Sequence, residues 1–454
     1  MTEHRRSLAL GAAMLTGFSL LTKFMGMGFR LYLTARIGAE GIGLFQVIMS
    51  VFSLFATFAS AGFTVAVSKL AAQRSEAGSI TTGAVSVFRK AVAVSMVPAL
   101  TGFAVLTFFG GPLASSLMHD ARLAPSLRIL AAGLPFIAAS NCLKGLFLAE
   151  GKAWKTALAP VTEQLVRIIV SCAVFFFLMP DELDAGRLCA AAALGATAGE
   201  ISSFAFLFTV FAFTSKVRGG SAPSRRELIS EIAPLAAGSY VTTALHSGEG
   251  LLIPLCLTLY GGDRSTALAE YGMIRGMVIP LLFFPFSFLS SLVSLLIPDL
   301  SREGMRGQDA VRHRVNRIIG PSLIFSLFVG AVFFLFPSQL AVLFYKSDEC
   351  SYALRVLAAV TPAMYIETVC DGILKAIGYQ RFTLFCNVLN SILRVVCIIV
   401  LLPRTGAQGY LWLLFASNLF TFAMCYFKLR SVTGFTLSES LRFYPRKKRI
   451  RPRA

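Results

Sequence analysis

Acidic residues are scarce in this chain. Its 454 positions hold 23 Asp and Glu against 42 Lys and Arg, and charged residues of all kinds make up 14%. Soluble domains carry about a quarter charged residues, so this shortage excludes an ordinary water-soluble globule. Histidines number four, and nine cysteines are scattered with no C-x-x-C spacing and no Cys/His cluster. Neither a metal site nor a disulfide framework is indicated, and only Cys189 and Cys350 fall near the expected outer face. A phosphate-binding Walker loop, a G-x-S-x-G elbow and a paired-carboxylate constellation on a loop are all missing as well. An ATPase or hydrolase is therefore unsupported, and no enzymatic role and no cofactor is expected.

What the chain has in excess is apolar length. It is 56% hydrophobic with a mean hydropathy of +0.72, and long apolar runs recur up to position 430. Twelve transmembrane helices are expected, at roughly 8–34, 43–70, 84–110, 125–149, 157–179, 188–214, 229–259, 270–297, 317–337, 352–375, 383–402 and 410–430. Most exceed the ~20 residues needed to span, which predicts tilts and kinks. The first segment is too long for a cleaved signal peptide and lacks a small-residue cleavage site, so it is expected to stay.

The net charge of +19 might be read as a nucleic-acid footprint, but its placement argues otherwise. With the N-terminus inside, each outer loop carries one basic residue: Arg36, Arg122, Arg187, Arg264, Lys346 or Arg404. Inner segments carry clusters, such as Lys216, Arg218, Arg225 and Arg226. This asymmetry places both termini in the cytoplasm. The tail ends in P-R-K-K-R-I-R-P-R-A and is expected to rest on anionic membrane lipid, with no nucleic-acid partner.

An internal repeat sets the architecture. A shift of 227 residues aligns L-R-I-L-A-A-G-L-P (127–135) with L-R-V-L-A-A-V-T-P (354–362), then Gly151 with Gly378 and Arg167 with Arg394. An even number of helices separates the copies, so the halves are parallel repeats about an axis along the membrane normal. The expected fold is an all-α polytopic membrane protein of two pseudo-symmetric six-helix lobes. The N-lobe covers 1–214, a polar linker 215–228, the C-lobe 229–430 and the basic tail 431–454. Substrate is expected between the lobes, with alternating access by their rocking. A pore needs no duplicated lobes, which argues against a channel.

Lys23 and Arg30 sit in the first apolar segment, with no acidic residue between Leu8 and Ala39. A charge in the hydrocarbon core costs from ~3 to more than 10 kcal/mol. Seven residues apart, the two share one helix face at roughly 10 Å, and that face must look into a protein interior or wet cavity that attracts an anion. The second helix carries Gln46, Ser50, Ser53, Thr57, Ser60, Thr64 and Ser68 as one stripe. Close helix packing and cavity lining both explain it. In the seventh, H-S-G-E-G (246–250) before Pro254 suggests a discontinuity. Glu249 there is placed to neutralise Lys23 or Arg275 across the lobes, while a lone His246 more often packs than carries protons. Arg275, in Y-G-M-I-R-G-M-V-I-P, either snorkels to the interface or faces Arg30 across a cavity. Glu163 with Arg167, and Asp371 with Lys375, read as structural i,i+4 pairs; Glu367 is a candidate for ion coupling.

The stretch 22–46, A-G-F-T-V-A-V-S-K-L (61–70), Y-G-M-I-R-G-M-V-I-P (271–280) and S-L-L-I-P-D-L-S (294–301) resemble the stage V sporulation protein B family. That family lies within the multidrug/oligosaccharidyl-lipid/polysaccharide exporters, alongside lipid II flippases and MATE antiporters. The resemblance implies a MATE-like flippase of a bacterial cytoplasmic membrane. It would translocate an undecaprenyl-diphosphate-linked saccharide, such as a cell-wall or spore-cortex precursor or a polysaccharide repeat unit. By motif position Lys23, Arg30 and Arg275 would line a cationic central cavity, with Glu249, Gln46, Ser53 and Thr57 contributing. Lys replaces Arg at position 23, the spacing to Arg30 is one residue longer than in lipid II flippases, and those have fourteen helices rather than twelve. The competing expectation is a MATE-type cation-coupled drug antiporter, which needs cavity carboxylates that the first helix lacks. A coupling ion, Na+ or H+, is left open, and the chain is expected to act as a monomer.

Overall fold

The computed structural model describes residues 2–74, 82–177, 184–214, 224–303 and 308–435. Most of the expected inter-lobe linker and of the basic tail lies outside these residues. Every regular element among them is helical, and ten segments are long and apolar enough to cross a membrane. Two of the ten, Thr16–Ala72 and Gln380–Thr433, run for 57 and 54 residues. As straight rods they would exceed 80 Å against a hydrocarbon core of ~30 Å.

Neither is a rod. Gly38 (φ 69°, ψ −179°) and Gly406 (φ 59°, ψ −151°) interrupt them in a backbone region that is essentially closed to side chains. Arg30 Nη1 donates to the Gly276 carbonyl at 3.3 Å, and the Gln46 amide also lies against Gly276. On an unbroken helix residues 30 and 46 would stand ~24 Å apart, so the chain reverses at Gly38. The same holds at Gly406. Arg394 Nη2 is 2.9 Å from Glu249, while Tyr410 stands beside Arg275 in the same cluster.

Among the described residues twelve crossings result. They are α1 (16–37), α2 (39–60, continued as Phe63–Ala72), α3 (Thr82–Phe108), α4 (Ala124–Ala131 with Leu134–Ala149), α5 (Ala153–Phe177) and α6 (Ala185–Thr214), then α7 (Arg225–Gly261), α8 (264–303), α9 (Gln308–Leu335), α10 (Ser351–Ala376), α11 (380–405) and α12 (407–433). Most bounds lie within a few residues of the sequence expectation, but α1 begins eight residues later, α9 begins nine residues earlier, and α8 extends six further at each end.

The backbone repeats what the sequence repeats. α4 begins at Ala124 and ends at Ala149, and α10 begins at Ser351 and ends at Ala376, each 227 further on. The following turns use Gly151 (φ 75°) and Gly378 (φ 94°), again 227 apart. Among the described residues the two non-glycine positions with positive φ, His119 and Lys346, show the same offset. Backbone geometry therefore carries the repeat upstream of the stretch where side-chain identity shows it.

Close contact between α2 and α8 brings the sequence halves together around the future site. Over Gly272–Val278 the α8 helix widens to π-helical geometry, a distortion common at functional positions. A Cβ on Gly43 would overlap the Leu268 carbonyl, and one on Gly276 would overlap Ile42. Only glycine permits that approach. Polar ties join the halves at both ends of the bundle. At one end Lys69 meets Glu231 at 2.7 Å and Arg74 meets Glu227 at 2.8 Å. At the other, Glu40 accepts from Arg122 at 3.2 Å and from Ser265 at 2.7 Å. There Asp263 caps α8, accepting from the Thr266 amide at 2.9 Å and its hydroxyl at 2.6 Å. Those hydrogen bonds hold the Asp263 carboxyl below its ordinary range.

Candidate functional site

A cavity of about 430 Å³ lies between α1, α2, α5, α6 and α8. Its walls come from both halves of the sequence: Met27, Phe45 and Met49 on one side, Pro280, Phe283 and Phe284 on the other. Three cations reach it, Lys23 and Arg30 from α1 and Arg167 from α5, together with Gln46 and Gln164. No lining residue among those described is acidic. Lys23 Nζ donates to Ser290 Oγ at 3.0 Å across the α1–α8 seam. Phe24 packs edge-on against Phe284 and Phe288 beside it, at centroid distances of 5.0 and 5.2 Å.

Arg30 reaches the site for a local reason. Its α1 face also buries Met27 and Leu33, and the π-widened turn of α8 offers the Gly276 carbonyl to its guanidinium. One such bond engages one of five guanidinium donors.

Arg275 is placed differently from expectation. It is absent from the cavity wall and turns into a buried cluster, 3.8 Å from Glu249 and flanked by Tyr271 and Tyr410. Glu249 is 0% exposed and lies 2.9 Å from Arg394 of α11. His246 stands 3.8 Å away on the other side. The expectation that Arg275 faces Arg30 across the cavity is thereby corrected. The physical reason is the fully buried Glu249 carboxylate, which demands cations within reach and takes Arg275 and Arg394 rather than Lys23.

The polar stripe of α2 divides. Gln46 faces the cavity, while Ser53 donates to the Ser50 carbonyl at 2.9 Å and Thr57 meets Thr243 of α7 at 3.3 Å. Thr64 donates to the Asn141 carbonyl of α4 at 3.0 Å, and Ser50 accepts at its carbonyl from Ser247 at 2.7 Å. Ser53 and Thr57 thus serve packing in this arrangement, not the cavity wall.

Two arginines take part in ways the sequence did not indicate. Arg167 does form its expected pair, with Glu163 Oε1 2.6 Å from Nη2, yet it also lines the cavity with Gln164. Arg394 is the near partner of Glu249. Its alignment with Arg167 was visible in the repeat, but nothing in the linear sequence ties it to position 249. Asp371 and Lys375 pair at 2.5 Å on α10, as their spacing implies.

Comparison with known proteins adds the following. The family model described as polysaccharide biosynthesis protein matches residues 8–303, and the MatE model matches residues 265–400. The chain is 24% identical over 418 residues to stage V sporulation protein B of Bacillus subtilis (strain 168), covering 89% of this chain and 80% of that one. It is 22% identical over 435 residues to lipid II flippase MurJ of the same organism, covering 88% and 78%. Among solved structures, lipid II flippase MurJ in an inward closed conformation superposes with a TM-score of 0.74 at 13% identity, over 94% of this chain and 89% of that one.

Proposed function

The chain belongs to the polysaccharide biosynthesis protein family, and from that premise we propose that it is a membrane flippase for a lipid-linked saccharide carried on a diphosphate. The observation that carries the reading is the cavity with Lys23, Arg30 and Arg167 on its wall and no lining carboxylate among the described residues. A diphosphate brings charge that a low-dielectric interior repels unless cations meet it. Charge-assisted hydrogen bonds to phosphate are roughly twice as strong as neutral ones, and exclusion of water between the helices strengthens them further. The names of the relatives, a lipid II flippase and a sporulation protein, agree with a cell-wall or spore-cortex precursor as cargo.

In this reading the N-lobe (1–214) and C-lobe (229–430), joined by 215–228, rock about the cavity to expose it in turn to each side. Both termini lie in the cytoplasm of a bacterial cell. The saccharide occupies the cavity, while the polyprenyl chain leaves through the apolar α1–α8 seam beside Phe24, Phe284 and Phe288. The 431–454 tail rests on anionic lipid. Lys23 bridging to Ser290 spans that seam and would part when the lipid passes.

The test is transport of an undecaprenyl-diphosphate saccharide by purified protein in proteoliposomes. Arg30→Ala is expected to abolish it while leaving folding intact. Lys23→Arg should retain more activity than Lys23→Ala, since an extended cation persists. Full activity in a well-folded Arg30→Ala variant would refute the cationic cavity. A second reading, a MATE-type cation-coupled antiporter, is favoured by the MatE match over 265–400. It calls for drug transport abolished by Glu367→Gln and independent of Arg30.

A further inference from the structure

Arg167 and Arg394 hold equivalent positions in the 227-residue repeat, on α5 and α11, but meet different surroundings. The Arg394 side chain is 11% exposed and pairs with a wholly buried carboxylate. The Arg167 side chain is 27% exposed and borders the cavity that Lys23 and Arg30 also line. Two carboxylates compete for it, Glu163 of α5 at 2.6 Å and Glu200 of α6 at 3.9 Å. Gln164 Oε1 accepts from its Nη1 at 3.4 Å, and its buried Nε has no partner. Helix packing enforces the arrangement. A Cβ on Gly199 would come within 2.8 Å of the Glu163 carbonyl, so α6 lies hard against α5 and keeps Glu200 beside the guanidinium.

We propose that Arg167 is a third, exchangeable ligand for the diphosphate, and that Glu163 and Glu200 compete with the substrate for it. The proposal rests on the reading of the cavity as a diphosphate site. A guanidinium presents five donors in a rigid fork that fits phosphate in bidentate fashion, and the long arginine side chain swings between partners on one cavity wall. With the site empty, Glu163 and Glu200 hold it. When it turns to the diphosphate, the two glutamates are left as facing like charges, with Lys144 of α4 the further cation near Glu200. Their repulsion draws Arg167 back. A transport site must bind strongly enough to load and weakly enough to release, as ion pathways do; this competition supplies the release. Arg394 has no such freedom, because leaving would take the near cation from the wholly buried Glu249 carboxylate.

The experiment is equilibrium binding of undecaprenyl diphosphate, and separately of inorganic pyrophosphate, to the full-length protein in nanodiscs, paired with transport in proteoliposomes. Arg167→Gln should weaken binding about tenfold, with Arg167→Lys between it and the unmodified protein. Glu200→Gln should tighten binding by up to about fivefold, the range expected from removing a partly exposed competing charge, while slowing transport. Glu163→Gln should act in the same direction. A merely structural triad predicts no tightening, so unchanged or weaker binding in both glutamate variants overturns the exchange. Arg30→Ala separates the two readings. If it binds both probes normally, the diphosphate site itself is wrong. If it loses binding while neither glutamate variant tightens, the exchange alone is wrong.

Discussion

Glu249 shows how one buried charge organises its neighbours. A carboxylate with 0% exposure is tolerated only with cations at hand, and it has Arg394 at 2.9 Å and Arg275 at 3.8 Å. Removing one member of a buried pair strands the remaining charge, which typically costs about 3–5 kcal/mol. Glu249→Ala leaves two arginines facing each other and should be among the most destabilising single changes in the chain. Denaturation in detergent should show a marked fall in its apparent midpoint. Arg275→Ala should lower the midpoint less, since Arg394 still answers Glu249. A transport defect in Arg275→Ala is expected to track this loss of folded protein, in contrast to Arg30→Ala. If Arg275→Ala is fully stable yet inactive, Arg275 touches substrate in another conformation.

Individual helices depend on a few backbone positions. Gly38 and Gly406 adopt φ/ψ pairs that essentially only glycine occupies, and forcing a side chain there costs on the order of 1–3 kcal/mol. Gly38→Ala and Gly406→Ala should each lower stability by about that amount. Gly261→Ala, at a position with open space beside it, serves as the control. Gly276→Val strikes packing instead, driving a branched side chain into Ile42 and the Gln46 amide. Overpacking costs typically 1–3 kcal/mol, and here it also moves the carbonyl that Arg30 uses. Reduced binding of undecaprenyl diphosphate, beyond any loss of stability, is the expected readout. These positions differ in legibility. An α2 long enough to need a reversal before it was evident from apolar length, but neither Gly38 nor Gly276 stands out among 37 glycines, because a glycine's role depends on what approaches it.

Across the whole molecule the distribution of basic residues makes a separate claim, that both termini are cytoplasmic. The nine native cysteines are buried or half-buried, so engineered ones should label cleanly. Cysteines at Asp181 and Ser221, both outside the described residues, should react from opposite sides of the membrane: 181 from outside, 221 only from inside. The reverse result would invert the topology and with it the direction of transport.

Several features followed directly from residue order. Apolar length set the number of crossings, since a helix needs ~20 residues to span and has no alternative in lipid. The 227-residue repeat anticipated that α4 and α10 would share boundaries and turns. The seven-residue spacing of Lys23 and Arg30 placed both on one inward face, and Gln46 was marked by its stripe. Spacing along a helix fixes which side a residue faces, and Lys23, Arg30 and Gln46 all border the cavity. Partners were another matter. Glu249 demanded a cation, but its near partner lies on α11, 145 positions away (394 minus 249), and no periodicity links helices that meet only by packing. Arg167 looked complete with Glu163 at i,i+4. That it also borders the cavity depends on how α5 leans against α6 and α1, which Gly199 and its neighbours settle through contact. Local patterns report direction, whereas cross-helix distances arise from the fit of many surfaces at once, and it is those distances that separate Arg275 from the cavity and bring Arg167 to it.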